Sequence, residues 1–269
     1  MYRVTAASSL HIEQQMPNTE TALTWLPAGV AFPPVHTAWR ADSDAPGLLC
    51  AGGDLSVATL AQAYRHTIFP WFSDGQPILW WSPDPRMVLT VGDFHLRNSF
   101  RKRLQQFARS PNCEIRVDSA FEEVIHACAQ SLRQGQSGTW IVPPMVQAYT
   151  QLHHAGLTHS VETWIDGALH GGLYFVALGK AVFGESMFHR STDSSKIALA
   201  ALVAMCRQFG VTHIDCQQNT AHLVSMGARE VPREWFLQHV AHASVQTAPN
   251  WRFTPLYWQR LFATDNATS

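Results

Sequence analysis

Apolar positions along this chain change their spacing near residue 90, and that change organises the reading. Residues 1 to about 26 show little periodicity and predict a poorly fixed lead-in or short strands. From Phe32-Pro33-Pro34 to Pro85 the chain is rich in proline, glycine and tryptophan. Within it, Asp54-Leu55-Ser56 reads as a helix start, with Asp54 as N-cap, and the helix ends before Ile68-Phe69-Pro70-Trp71. Ile78-Leu79-Trp80-Trp81 predicts a short buried strand, stopped by Ser82-Pro83-Asp84-Pro85. This part reads as a small α/β domain over residues 1–90.

Residues 91–269 read as a second, larger domain in which helical and strand periods alternate. Phe100, Leu104 and Phe107 mark one helical face, and Glu114 to Asp118 alternate like a strand. Ser119 then caps a helix, with Glu122 as its capping-box partner. A helix after Pro143-Pro144 ends at Gly156. Strand-like runs follow at His159–Ile165, Ala168–Ala177 and Lys180–Phe183, joined by Asp166-Gly167 and Leu178-Gly179, which predicts two hairpins. A helix from Ser194 to Phe209 stops at Gly210, a strand covers Val211–Cys216, and a short helix starts at Thr220. Helices, an antiparallel meander, then helix, strand and helix make the fold class α+β.

Composition narrows the function classes. The apolar fraction is 46% and the charged fraction 14%, a globular balance. No run approaches the roughly 20 apolar residues of a membrane span. The first fifteen residues lack a signal-peptide apolar core, so the expected location is the cytoplasm and no membrane partner is expected. Five cysteines without a CxxC pair argue against a disulfide framework and a thiolate zinc site. Fourteen histidines show no HExxH spacing. His153 and His154, adjacent on a helix, point about 100° apart, so no metal is expected. Net charge is −1, yet Arg97, Arg101, Lys102, Arg103 and Arg109 form a run without an acidic residue, suited to phosphates.

Three further features carry candidate chemistry. Ten tryptophans are unusual; most suit core packing, but Trp81 and Trp140 border glycine or proline segments where an aromatic face can stack a base. Glu185 follows the apolar Ala181-Val182-Phe183 and a glycine, which places its carboxylate at a sheet edge or inside a pocket. Asp215 and Gln217 share one face of a strand end, either as a hydrogen-bonded pair at a cleft or as a solvated terminus. There is no GxSxG elbow, no GxGxxG fingerprint and no GxxxxGK[ST] loop.

Several blocks together resemble one family. They are Gly47 to Leu55, Ala63-Tyr64-Arg65 with Ile68 to Phe72, Gly75 to Arg86, Gly138 to Ile141, His159 to Glu162, Gly171 to Tyr174, Gly184 to Phe188, Ile214 to Gln217, and His222-Leu223 with Gly227 to Glu230. On these the sequence is similar to the bacterial leucyl/phenylalanyl-tRNA–protein transferases, over residues 28–240. The resemblance implies an acyl-CoA N-acyltransferase-like larger domain and no cofactor, neither metal nor acyl-CoA. It implies transfer of Leu, Phe or, less well, Met from aminoacyl-tRNA to proteins with N-terminal Arg or Lys, marking them for degradation.

By the same resemblance Gln217 takes a hydrogen bond from the attacking amine, Asp215 orients and polarises Gln217, and Glu185 contacts the acceptor's basic residue. Trp80, Trp81 and Trp140 shape the adenosine and amino-acid sites, while Leu173, Phe183 and Met187 line a side-chain pocket. Thr67 departs from the family's usual glycine, at a helix C-cap that favours φ > 0. His189 and Asp193 also depart, replacing smaller or amide residues. Two rivals fit less well. An acetyl-CoA-dependent acetyltransferase needs an [RQ]xxGx[GA] turn, which is missing. A non-catalytic tRNA-binding module leaves Asp215 and Gln217 without a purpose.

Overall fold

The computed structural model describes residues 23–131 and 141–262. In chain order the elements are β1 (Trp25–Leu26), β2 (Leu48–Gly52), α1 (Val57–Arg65), β3 (Phe69–Pro70), β4 (Leu79–Trp81), β5 (Arg86–Thr90), α2 (Asn98–Arg109) and β6 (Cys113–Val117). They continue with α3 (Phe121–Gln130), α4 (Pro143–His154), β7 (Thr158–Ile165), β8 (Ala168–Leu178), β9 (Ala181–His189), α5 (Ser194–Phe209) and β10 (His213–Gln217). α6 (Ala221–Ser225), β11 (Arg229–Val231), α7 (Arg233–Ala243) and α8 (Trp258–Phe262) complete them. The class is α+β, as expected.

Two sheets organise these elements. A four-stranded sheet runs β1-β2-β4-β3, and a seven-stranded sheet runs β11-β5-β10-β9-β8-β7-β6. Strands β6 to β9 are an antiparallel meander. β10 lies parallel to β9 and antiparallel to β5. One apolar cluster joins the small sheet and α1 to α3, α4, α7 and one face of the large sheet, with Tyr64, Tyr149 and Phe183 inside it. A second cluster packs α5, α2 and α8 on the other face. The twelve buried residues of α5 explain why this helix is apolar all round. It seats against β8 at Gly171, where an added Cβ would lie 2.5 Å from Ser194 Oγ.

Two predicted caps are built differently. Helix α1 takes Ser56 as N-cap, its hydroxyl accepting the Thr59 N–H. Asp54 instead accepts from the Ser56 N–H at 2.9 Å and the Thr59 hydroxyl at 2.7 Å, bracing the cap from outside. The Ser119–Glu122 box does not form. Glu162 on β7, fully buried, accepts the backbone N–H groups of Ser119 and Ala120 at 3.0 and 2.9 Å. The Ser119 hydroxyl turns to the same carboxylate, and Ser160 and Trp164 also donate to it. A buried carboxylate with this many donors outcompetes an exposed glutamate for the helix start.

Glu162→Ala removes the acceptor and strands these donors in the core. The expected loss is about 2–4 kcal/mol of unfolding free energy in urea titration. A loss below about 0.5 kcal/mol would show that Glu122 or water caps α3 adequately.

Candidate active site

Strands β9 and β10 pair in register only at Ile214↔Val182 and Asp215↔Phe183. Just past these pairs each strand carries an extra residue. On β9, Glu185 falls between the residues paired with Phe175 and Tyr174; on β10, Cys216 falls between those paired with Val88 and Met87. Such bulges bend a strand and re-aim its side chains. The two strand ends part there, around a cleft of about 810 Å³ lined by Gly184 to Met187, Ile214 to Gln218, Leu173 and the Phe69–Trp71 segment.

Asp215 is fully buried, and so is Arg86 at the start of β5. The guanidinium grips the carboxylate with both forks, Nε to Oδ1 at 2.8 Å and Nη2 to Oδ2 at 2.6 Å. Its remaining Nη1 donates to the Thr67 carbonyl at 3.0 Å, and its plane lies near the Phe69 and Phe236 rings. This geometry supplies the paired hydrogen bonds without which two buried charges would be costly. Thr67, the departure from glycine, does sit at φ 61° and is fully buried. The strained threonine turn is therefore held in place by the guanidinium on its carbonyl and by Ser82 beside its hydroxyl.

Asp215 reaches Gln217 through the backbone, not the side chain: its Oδ1 accepts the Gln217 N–H at 2.9 Å. That bond closes the bulge and fixes Gln217 at φ 61°. The Gln217 side chain then donates from Nε2 to Glu185 Oε1 at 3.0 Å. Strand alternation predicts one shared face for Asp215 and Gln217, but the bulge at Cys216 sets them opposite the consecutive residues Val88 and Met87, which puts them on different faces and divides their tasks. Asp215 is an anchor turned into the protein, while Gln217 is half-buried and lines the cleft with Glu185.

Glu185 is the buried acid of the cleft. Tyr64 of α1 donates to its Oε1 at 2.8 Å, and Tyr149 of α4 reaches its Oε2 at 3.3 Å. The two phenol oxygens also meet each other, and both phenols titrate well above their ordinary range. Burial pushes the Glu185 carboxyl up to about 7, against the Tyr64 and Gln217 hydrogen bonds that lower it.

The remaining expected residues divide. Leu173 and Met187 face each other across β8 and β9 and both line the cleft. Phe183 does not: it is fully buried behind Tyr64, ring centroids 5.0 Å apart. Trp80 is also a core residue, its indole N–H bonded to the Gly52 carbonyl at 2.9 Å. Trp81 stands half-buried behind Trp71, its N–H on the Trp71 carbonyl, and it is Trp71 that lines the cleft. Both corrections to the tryptophans follow from β4, an interior strand of the small sheet whose residues face packed neighbours on both sides. Trp140 lies outside the described residues.

Arg97, the N-cap of α2, and Lys102, Arg103 and Arg109 on the helix are exposed to solvent, with Arg101 half-buried. Asp193, at φ 64°, meets Arg103 at 3.3 Å and Lys196 at 3.0 Å, so the patch is tied to the start of α5 and partly neutralised. His189 is exposed at the end of β9. Among the described residues no group of His, Cys, Asp and Glu could hold a metal, and no helix is long and apolar enough to cross a membrane.

Arg86, Tyr64 and Tyr149 escaped sequence reasoning. The signal for Arg86 was a lone arginine opening the apolar run Met87-Val88-Leu89, which demands a buried carboxylate such as Asp215. The two tyrosines sit on ordinary apolar helix faces, and only the fold shows their hydroxyls converging.

The raised Glu185 carboxyl has a stability consequence with a definite sign. Unfolded it titrates near 4.5 and folded near 7, so the native state loses stability as pH rises through that window. Below the window both states are protonated and nothing is lost. Glu185→Gln removes the titration. The free-energy difference between variant and wild type is expected to move by about 3 kcal/mol in the variant's favour from acid to about pH 8. A difference constant with pH would show that Glu185 ionises as if in water.

Residues 88–241 match the family model described as leucyl/phenylalanyl-tRNA protein transferase, and residues 53–84 match that of its N-terminal domain. A protein named leucyl/phenylalanyl-tRNA–protein transferase from Albidiferax ferrireducens is 59% identical over 92% of this chain and 97% of its own. One of the same name from Polaromonas sp. is 58% identical over 91% of this chain and 96% of its own. A solved GCN5-related N-acetyltransferase from Kribbella flavida aligns with 62% of this chain and 58% of its own at 12% identity, TM-score 0.34. That likeness is weak and adds nothing to the assignment. Family models over most of the described chain, and relatives matched nearly end to end, give one conclusion: the chain belongs to the leucyl/phenylalanyl-tRNA–protein transferase family.

Proposed function

We propose that this protein moves Leu or Phe, and less well Met, from aminoacyl-tRNA to the α-amine of proteins that begin with Arg or Lys. The product would carry a new N-terminus that marks it for degradation in the cytoplasm. The observation that carries the reading is the pairing of Gln217 with Glu185 at a cleft whose other wall is the apolar Leu173–Met187 pair. An apolar side chain and a reacting amine both find their partners within one cavity.

The donor is an ester to a ribose oxygen, and the nucleophile is an N-terminal amine. Such an amine titrates near ~7.7–8, so the neutral form is readily available. Its attack on the ester carbonyl forms the C–N bond and breaks the C–O bond; one proton leaves nitrogen and one reaches the ribose oxygen. Gln217 does not titrate. With its Nε2 held by Glu185, its carbonyl Oε1 is the end that receives the amine's N–H and aims the lone pair. Glu185 takes the proton and returns it to the departing oxygen. A carboxyl group that titrates about 7 is suited to both halves of this exchange. Since Tyr64, Tyr149 and Gln217 already hold Glu185, we assign it to proton transfer and not to the acceptor's basic side chain. Asp215 acts through Gln217. The exposed cations of α2 suit tRNA phosphates, and Trp71 supplies the aromatic face beside the cleft.

The test is transfer of labelled Phe from Phe-tRNA to a peptide beginning with Arg, beside one beginning with Asp. Only the first is expected to be modified. Gln217→Ala should lower kcat about a hundredfold while tRNA affinity holds within about twofold. Replacing Arg97, Lys102 and Arg109 by Ala should raise the tRNA KM and flatten its salt dependence. Intact tRNA binding without transfer would favour a binding module, and an unchanged salt slope would remove the phosphate role.

A further inference from the structure

Tyr64 and Tyr149 come from two helices far apart in sequence, and each places a phenol on the buried acid of the cleft. Both side chains are fully buried, so neither hydroxyl has water to fall back on. Each phenol carries a single hydrogen. That of Tyr64 goes to Glu185 Oε1 at 2.8 Å. That of Tyr149 is divided between the Tyr64 oxygen and Oε2, the latter at 3.3 Å. The carboxylate thus faces donors on both oxygens, with Gln217 Nε2 adding a second to Oε1. The neighbouring charged group is Asp215 on β10, and it is already closed onto Arg86. Among the described residues no cation pairs with Glu185, and the donors they offer its ionised form are neutral.

The same triangle accommodates a proton. When Oε2 becomes O–H it can donate to the Tyr149 oxygen; Tyr149 turns its hydrogen fully to Tyr64, and Tyr64 keeps its bond to Oε1. Neither state leaves a buried polar atom without a partner, which is what a group that takes up and returns one proton requires.

Resting on the aminoacyl-transfer reading above, we propose that Tyr64 and Tyr149 are positioning residues that keep Glu185 ionised and aimed at Gln217 in the resting site, and that Tyr149 accepts the hydrogen bond of the protonated carboxyl while Glu185 holds the proton during transfer. Tyr64 is the stronger of the two, by distance and because its hydrogen is not shared. Removing it takes a donor from the ionised carboxylate, so Glu185 should hold its proton to higher pH.

The experiment compares wild type with Tyr64→Phe, by two readouts. The first is carbon NMR of protein labelled at glutamate carboxyls, with the Glu185 signal assigned by its loss in Glu185→Gln. Its midpoint is expected near neutrality in wild type and about one to two pH units higher in Tyr64→Phe. The second is the pH profile of kcat/KM for Phe transfer. Its acid limb should move upward by the same amount, so that activity lost at pH 7 recovers at alkaline pH. Tyr149→Phe should shift both readouts the same way by less, and it serves if Tyr64→Phe does not fold. An unmoved midpoint, or a uniform loss of activity with the limb in place, overturns the proposal. The NMR midpoint needs no substrate; a wild-type protein that titrates as expected yet transfers nothing would contradict the functional reading alone.

Discussion

A guanidinium and a carboxylate that are both sealed from water can persist only by satisfying each other, and Arg86 and Asp215 do so through two parallel hydrogen bonds. The rest of the site is arranged around that pair. Arg86 opens β5, Asp215 lies on the neighbouring β10 opposite Val88, two residues along, and the spare guanidinium nitrogen holds the strained Thr67 turn that follows α1. One ion pair thereby fixes the seven-stranded sheet relative to the helix that delivers Tyr64. Asp215 spends its Oδ1 a second time on the Gln217 backbone, which closes the bulge and points the amide at Glu185. From Arg86 outward, each contact positions the next.

The consequence for chemistry is a division of labour that the two-residue spacing conceals. Asp215 is an anchor whose charge is already neutralised by its partner. Gln217 and Glu185 are the groups the cleft exposes to a ligand. Among the described residues Glu185 is met by neutral donors, and burial raises it toward neutrality while Tyr64 and Gln217 hold it back. An acid poised near the pH at which N-terminal amines become neutral is the arrangement that amine acylation calls for.

Much of this was legible in the sequence where one local rule governs. The helix Ser194–Phe209 with its Gly210 cap and the hairpin turn at Asp166-Gly167 follow from period and turn chemistry. What was not legible came from competition between distant groups. Glu162 takes the start of α3 from Glu122 because a buried acceptor is reached from β7, forty-odd residues on. Bulges at Glu185 and Cys216 shift registers that strict alternation cannot anticipate. Trp80 and Phe183 look the same as cleft-lining aromatics until the sheets are assembled, when they fall on the packed side. Leu173 and Met187, from facing positions of a hairpin, fall on the open side.

The most direct test of the claim that the Arg86–Asp215 pair builds the site is a cycle of Arg86→Met, Asp215→Leu and the double variant. Unfolding free energy and single-turnover transfer from Phe-tRNA would be measured on each. Each single variant strands a buried charge and should lose about 3–5 kcal/mol, while the double, with an apolar pair in place of the ions, should regain most of that. Transfer should not return with it, because the Gln217 backbone N–H has lost its anchor. A double variant that is stable and transfers at the wild-type rate would contradict the account, since Gln217 would then be placed without Asp215.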